Sequence, residues 1–228
     1  MKLTKHKSKF PANVYSHLSG RIEELRPGQL KAVNAGLFES KNLLICTPTA
    51  SGKTLIAEMA FLNSVEKGKT LYVVPLRALA SEKYHDFKKL YELHDYKIAV
   101  SSGDLDKSDS YLENYDLIIT TSEKLDSLLR HKINWINRVK TVVIDEVHLL
   151  NDASRGPTLE IVITLLRQII PNVQIICLSA TVGNAFDLAS WLNAELVKDD
   201  WRPVELHKGV YLNGEIEFFK DKAKNTLL

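Results

Sequence analysis

The sequence predicts an α/β fold: a doubly wound, mostly parallel sheet with helices on both faces. Three observations lead there. Apolar β-type runs alternate with helical patterns along most of the chain. Most of those runs are apolar throughout rather than alternating, as strands buried on both faces must be. The two stretches richest in chemistry, Thr47–Thr54 and Asp145–Glu146, each follow an apolar run. Open α/β sheets bind ligands at those carboxyl ends.

The elements follow in order. Strands are expected at Asn42–Cys46, Thr70–Val74, Ile98–Ser101, Leu117–Thr120, Thr141–Asp145 and Gln174–Leu178. Helices are expected between them at Leu55–Lys67, Arg77–Leu93, Ser122–His131, Thr158–Ile170 and Phe186–Leu192. The alternation breaks after Trp201-Arg-Pro203. Val204–Val210 and Glu215–Phe219 then read as a hairpin around Leu212-Asn-Gly214, and Lys220–Leu228 as a polar tail. There is no internal repeat and no low-complexity segment. The division is a basic segment over 1–20, a main domain over 21–203, and a hairpin and linker over 204–228.

Composition bounds the class. The 228 residues suffice for one large α/β domain, and 45% hydrophobic against 25% charged is an ordinary globular balance. A net charge of +2 neither demands nor excludes a nucleic-acid partner, so any basic surface is local. Lys2, Lys5, Lys7 and Lys9 make the N-terminus either a phosphate-touching arm or, as we read it, a solvated and partly disordered end. No run is long enough to span a membrane, and the start lacks a signal peptide's apolar core. Cys46 and Cys177 lie in apolar runs without metal-ligand spacing, so they read as reduced core thiols of a cytoplasmic protein. Lone aromatics such as Trp135, Trp191 and Trp201 read as core, with base stacking the alternative.

Thr47-Pro-Thr-Ala-Ser-Gly-Lys-Thr54 sits between a strand and a helix, the context a phosphate loop requires. Backbone N–H groups over Thr49, Ala50, Ser51 and Gly52 can face phosphate oxygens at the new helix N-terminus. Lys53 supplies a cation for the β/γ-phosphates and Thr54 a hydroxyl for magnesium. The strict pattern has Gly where Thr47 stands, so a Ser/Thr-rich capping turn is the competing reading. Asp145-Glu146 weighs against that reading. A buried strand does not end in two carboxylates for packing reasons, whereas a magnesium ion beside Lys53 would partner them. Asp145 then holds the metal and Glu146 deprotonates an attacking water, which points to nucleoside triphosphate hydrolysis.

Five further places admit two readings each. Gln29, in Arg26-Pro-Gly-Gln29, either pairs with adenine or faces solvent after a turn. Ser179 and Thr181 either bond the metal-site carboxylates or sit in an ordinary turn. Arg77, and Thr121-Ser122, open helices and either hold nucleic-acid phosphate or cap those helices. Arg155-Gly156 is a third junction of this kind, and Ser102-Gly-Asp104 a turn after the third strand.

Taken together and in order, these motifs resemble those of superfamily 2 DExH helicases. Gln29 is similar to the Q motif, Thr47–Thr54 to motif I, Pro75–Ala80 to motif Ia and Thr121–Lys124 to motif Ib. Asp145–His148 is similar to motif II and Ser179–Thr181 to motif III. That superfamily tolerates Thr at the first loop position. Pro-Thr-Ala-Ser-Gly-Lys-Thr, Asp-Glu-Val-His-Leu-Leu, Arg-Gly-Pro-Thr-Leu-Glu160 and Trp-Arg-Pro203 narrow the resemblance to the Ski-like branch. Within it they point to archaeal Holliday junction migration (Hjm) DNA helicases, relatives of the polymerase-theta helicase domain. It covers about residues 20 to 219.

The resemblance implies a RecA-like P-loop NTPase domain that binds ATP and Mg2+. Gln29 would select adenine; Lys53, Thr54, Asp145 and Glu146 would carry ATP and magnesium. His148, Ser179 and Thr181 would couple hydrolysis to strand movement. Arg77, Thr121, Ser122, Arg155 and Gly156 would line the path of single-stranded or forked DNA. It also implies 3′ to 5′ movement in repair or recombination of stalled forks, by a monomer. The family's second RecA-like domain, with its arginine finger, has no counterpart in these motifs, so the chain reads as a fragment and 204–228 as the way into that domain. An RNA helicase of the same branch and a stand-alone nucleotide-dependent binding module are the competing readings.

Overall fold

The computed structural model describes residues 2–91, 94–103, 109–131, 133–205, 207 and 209–218. Seven strands form one sheet: β1 (Leu43–Cys46), β2 (Lys69–Val74), β3 (Ile98–Ser101), β4 (Leu117–Thr121), β5 (Val139–Ile144), β6 (Gln174–Ser179) and β7 (Glu195–Lys198). Their order is β3-β4-β2-β5-β6-β1-β7, and every described pairing is parallel. The expected fold class is observed. The second predicted helix starts where expected: α4 runs Arg77–Tyr91, and the predicted end over residues 92 and 93 lies outside the described residues. The turn at Asp104 and the tail over 220–228 also lie outside them.

Alternation along each strand divides the core into two layers. In β1, Leu43 and Ile45 point to one layer, Leu44 and Cys46 to the other. In β6, Ile176 and Leu178 face the first, Ile175 and Cys177 the second. The first layer packs under α1 (Ala12–Ser19), α2 (Pro27–Asn34), α3 (Lys53–Ser64) and α4. The second packs under α5 (Ser122–Arg130), α6 (Gly156–Ile169) and α7 (Ala185–Leu192). Both cysteines are free and buried, and burial pushes each thiol above its ordinary value.

The N-terminal segment is a correction. Leu3–Lys9 is a 3₁₀ helix and α1 follows it. Leu3, Phe10, Val14 and Leu18 are buried in the first layer, so the segment is neither a free arm nor disordered. The four lysines drew the reading, and the apolar residues between them decide the structure. Arg21 then pairs with buried Glu58 on α3, and Tyr91 donates to Glu58 Oε1 at 2.6 Å. One carboxylate thereby ties α3 to α4 and to the segment behind α1.

Two elements differ at the other end. β7 was not expected, because only Val197 of its four residues is buried. The hairpin pairs β8 (Gly209–Leu212) with β9 (Glu215–Phe218), so its first strand begins five residues later than Val204. Asn213 and Gly214 both have positive φ (51° and 91°), the two-residue turn whose twist suits a hairpin and which fixes this register. Val204, 73% exposed, has no packing to hold it in a strand.

Candidate active site

The strand order brings the chemistry together. β5, β6 and β1 are neighbours, so the ends carrying Asp145, Ser179 and Thr47 lie side by side. Thr47 N–H donates to Ser179 O at 3.2 Å and Asp145 N–H to Val73 O at 2.8 Å, continuing the ladder to the rim.

The loop over 47–54 is closed on itself. Thr47 Oγ1 and Ser51 Oγ share a hydrogen bond at 2.7 Å, both buried. The side chain that replaces glycine here therefore serves as an internal tie. Ala50 and Gly52 both have positive φ (62° and 92°), and Gly52 is the residue before α3. A Cβ on Gly52 would strike the Gln29 amide, so glycine is required by the neighbour as well as by the backbone. Lys53 Nζ rests on the carbonyls of Thr47 (3.1 Å) and Pro48 (3.3 Å), a cation with no acid among those partners.

Gln29 does not face solvent; it is 3% exposed. Its Oε1 accepts the Arg26 N–H at 2.8 Å, capping α2, and its Nε2 donates to Gly52 O at 3.0 Å. One amide thus joins the start of α2 to the end of the phosphate loop. Arg26 makes a second join, with Nη1 donating to Ala50 O at 2.6 Å.

At the end of β5, Asp145 Oδ2 accepts from the Tyr72 hydroxyl at 3.1 Å and Oδ1 from the Glu146 N–H at 3.0 Å. Burial, and then the Asp145 carboxylate, push the Tyr72 phenol well above its ordinary value, so it remains a donor. Glu146 has φ of 53°, unusual for a residue with a side chain. Its Oε2 is 3.2 Å from His148 Nδ1, without the alignment of a hydrogen bond. Ser179 Oγ is buried with only the weak Cys46 thiol as a side-chain partner among the described residues, while Thr181 beyond it is exposed.

The predicted nucleic-acid residues surround the same rim. Arg77 opens α4 and is exposed. Thr121 caps α5, accepting from Lys124 N–H at 3.4 Å, and Ser122 is buried behind it. Lys124 is itself buried and pairs with Asp109 at 3.1 Å. Asp152 Oδ1 accepts from the Ser154 hydroxyl (2.6 Å) and from the N–H groups of Ser154 and Arg155 (2.9 and 3.0 Å). Those bonds, the hydroxyl's first, hold its carboxyl below the ordinary value and fix the turn that presents Arg155. A Cβ on Gly156 would strike Leu150 O. Pro75, Ser122, Asp145, Glu146 and Arg155 line one small cavity, so residues expected at the nucleotide and residues expected at the nucleic acid share a wall.

Two side chains that contact the candidate site residues were not assigned to the site from sequence: Arg26, on Ala50 O, and Tyr72, on Asp145. Tyr72 carried the clearest signal, since a buried tyrosine hydroxyl in an apolar strand needs a partner. Of the tryptophans, Trp135 is core, whereas Trp191 and Trp201 are each 38% exposed.

Comparison with known proteins agrees with this geometry. Residues 26–188 match the model of the DEAD/DEAH box helicase family. The chain is 57% identical over 211 residues to the ATP-dependent DNA helicase Hel308 of Methanocaldococcus jannaschii, covering 89% of this chain and 17% of that protein. It is 52% identical over 202 residues to Hel308 of Pyrococcus abyssi, covering 88% and 28%. The chain therefore spans less than a third of the length of these relatives. Among solved structures, the DUF1998 helicase MrfA bound to DNA and AMPPNP superposes with a TM-score of 0.72 at 26% identity, covering 84% of this chain and 29% of that one. No helix of the described residues is long and apolar enough to cross a membrane.

Proposed function

The chain belongs to the DEAD/DEAH box helicase family, and we propose that it is the first RecA-like, ATP-binding domain of a longer cytoplasmic DNA helicase that moves 3′ to 5′ on single-stranded or forked DNA. One observation carries this reading: β5 and β1 flank β6, so the end of β5 with Asp145 and Glu146 and the loop leading from β1 to Lys53 lie on one rim of the sheet. Relatives named as DNA helicases, and a DNA- and AMPPNP-bound structural neighbour, support both halves of the proposal.

Gln29 and Arg26 hold the loop from one side, and in this reading Gln29 also meets adenine. Lys53 leaves its two carbonyls for the β/γ-phosphates, exchanging weak partners for an anion. The donor set fits Mg2+: one carboxylate, Asp145, and one hydroxyl, Thr54, with no described cluster of three or more acidic, His or Cys side chains. Such a set suits an ion that keeps waters and takes phosphate oxygens as its remaining ligands. Bound there, the ion would neutralise charge on the transferring phosphoryl group. Glu146 takes the proton of the attacking water, and His148, Ser179 and Thr181 carry the outcome toward the second domain. Arg77, Thr121, Ser122, Arg155 and Gly156 hold the phosphates of the strand.

The test compares turnover with single-stranded DNA, with RNA and without either, in the longer protein and in residues 1–228. DNA should stimulate the longer protein most. The 228-residue chain should be slower by about 10³–10⁵, the usual worth of an arginine supplied across the nucleotide. Stronger stimulation by RNA would replace DNA as the substrate. DNA-stimulated turnover by the short chain at the longer protein's rate would refute the need for a second domain.

A further inference from the structure

We propose that Trp201 is a positioning residue for the phosphate loop, acting through Arg26; this rests on the nucleotide-site reading above. Trp201 lies 150 residues from the loop in sequence and beyond the last strand of the sheet, where no motif placed a role for it.

The geometry is a relay. Arg26 Nη1 holds Ala50 O at 2.6 Å, and Ala50 is one of the loop residues with positive φ. On its other side the Arg26 guanidinium lies over the Trp201 ring, 5.4 Å from the centroid. A long cationic side chain holding one carbonyl loses rotamer freedom, and an aromatic face beneath it favours the one arrangement that reaches the carbonyl. The ring is held in turn. Asp199 N–H donates to Cys46 O at 3.3 Å, the last carbonyl of β1 before the loop. Asp199 Oδ1 accepts the backbone N–H of Trp201 at 2.8 Å, fixing the main chain that carries the ring, and Oδ2 pairs with Lys31 on α2 at 2.8 Å. The segment leaving β7 is thus fastened to the strand that enters the loop and to the helix that carries Gln29.

This placement makes the exit from the domain part of its nucleotide site. Movement of the segment after β7 withdraws the ring, frees Arg26 and loosens Ala50. In the other direction, a nucleotide that fixes the loop fixes Arg26 and hence the exit segment. The competing view is that the ring merely packs the segment down. In that case its loss would lower melting temperature and leave nucleotide affinity alone.

Titration of residues 1–228 with a fluorescent ATP analogue and magnesium separates the two. Trp201→Ala should weaken binding about two- to fivefold, the size of an exposed cation–π contact. Trp201→Leu, which keeps apolar bulk without the aromatic face, should weaken it equally, while Trp201→Phe should retain most of the affinity. Arg26→Ala should cost about tenfold, as a lost charge-assisted bond does. The Arg26→Ala, Trp201→Ala double variant should bind no worse than Arg26→Ala alone, because the ring acts through the arginine. Wild-type affinity in Trp201→Leu, or losses that multiply in the double variant, would overturn the relay. A wild-type chain whose ATP affinity is indifferent to Lys53→Ala would instead remove the nucleotide site on which the relay depends.

Discussion

The two ends of the sheet treat polar side chains in opposite ways. At the amino-terminal ends, Gln174 Nε2 donates to Leu37 O (2.8 Å) and Lys41 O (3.0 Å), and its Oε1 accepts from Thr141 (3.2 Å). Asn42 accepts from Ile175 N–H at 2.8 Å, and Lys69 holds Glu113 O at 2.6 Å and Tyr115 O at 2.5 Å. At the carboxyl-terminal ends, buried Ser179 Oγ has only the weak Cys46 thiol as a side-chain partner among the described residues, and Lys53 rests on two longer carbonyl contacts. Glu146 stands in a left-handed conformation beside an unaligned His148. Buried polar groups ordinarily find partners, so the first end reads as structure and the second as a place kept for something else. A lysine and a glutamine serve each end, and Gln29 is bonded on both amide atoms as Gln174 is, so the contrast rests on Lys53 and Glu146 and not on residue type.

Glu146→Gln is the sharpest way to test that distinction. In the longer protein it should keep ATP affinity and lower turnover by about 10²–10⁴, the range for a lost general base. Near-normal hydrolysis would place the base elsewhere. Lys53→Ala should weaken ATP binding by roughly ten- to a hundredfold, a charge-assisted hydrogen bond's worth, while the melting temperature stays put. Unchanged affinity would end the phosphate-loop assignment. Gln174→Leu should do the converse. It strands two carbonyls and a hydroxyl, so stability should fall by about 1–3 kcal/mol, seen as a drop of about 3–10 °C in melting temperature. ATP affinity should not move, and a change in it would erase the contrast between the two ends. Ser179→Ala should change stability least, by no more than about 1 kcal/mol, since it removes a buried hydroxyl whose side-chain partner is the weak Cys46 thiol. A large loss on thermal melting would show that the hydroxyl has a stronger structural partner.

The sheet and its order of motifs were legible because β1, β2, β4, β5 and β6 each carry a continuous apolar stretch rather than an alternating one, and the helices between them are amphipathic. β7 was not, since a four-residue edge strand with one buried side chain leaves no periodic trace. The N-terminal helices were obscured by lysines that sit among the buried Leu3 and Phe10. In the site, Lys53, Asp145 and Glu146 were readable from spacing because chemistry restricts them to strand ends. The roles of Tyr72, Arg26 and Trp201 depend on which strands and loops become neighbours, and local pattern contains no record of that. Gln29 shows the intermediate case: the motif marked the residue, but its two bonds to Arg26 and Gly52 appear only in three dimensions.

The packing of Leu3, Phe10, Val14 and Leu18 into the core has a practical corollary for anyone cutting the gene. The helicase family match begins at residue 26, and all the recognised motifs lie beyond it. A clone started there would contain the whole phosphate loop and both carboxylates. It would also uncover the apolar seats of Leu3, Phe10, Val14 and Leu18, and leave the interior Glu58 without Arg21. The stretch that evolution labels and the stretch that folds have different starting points.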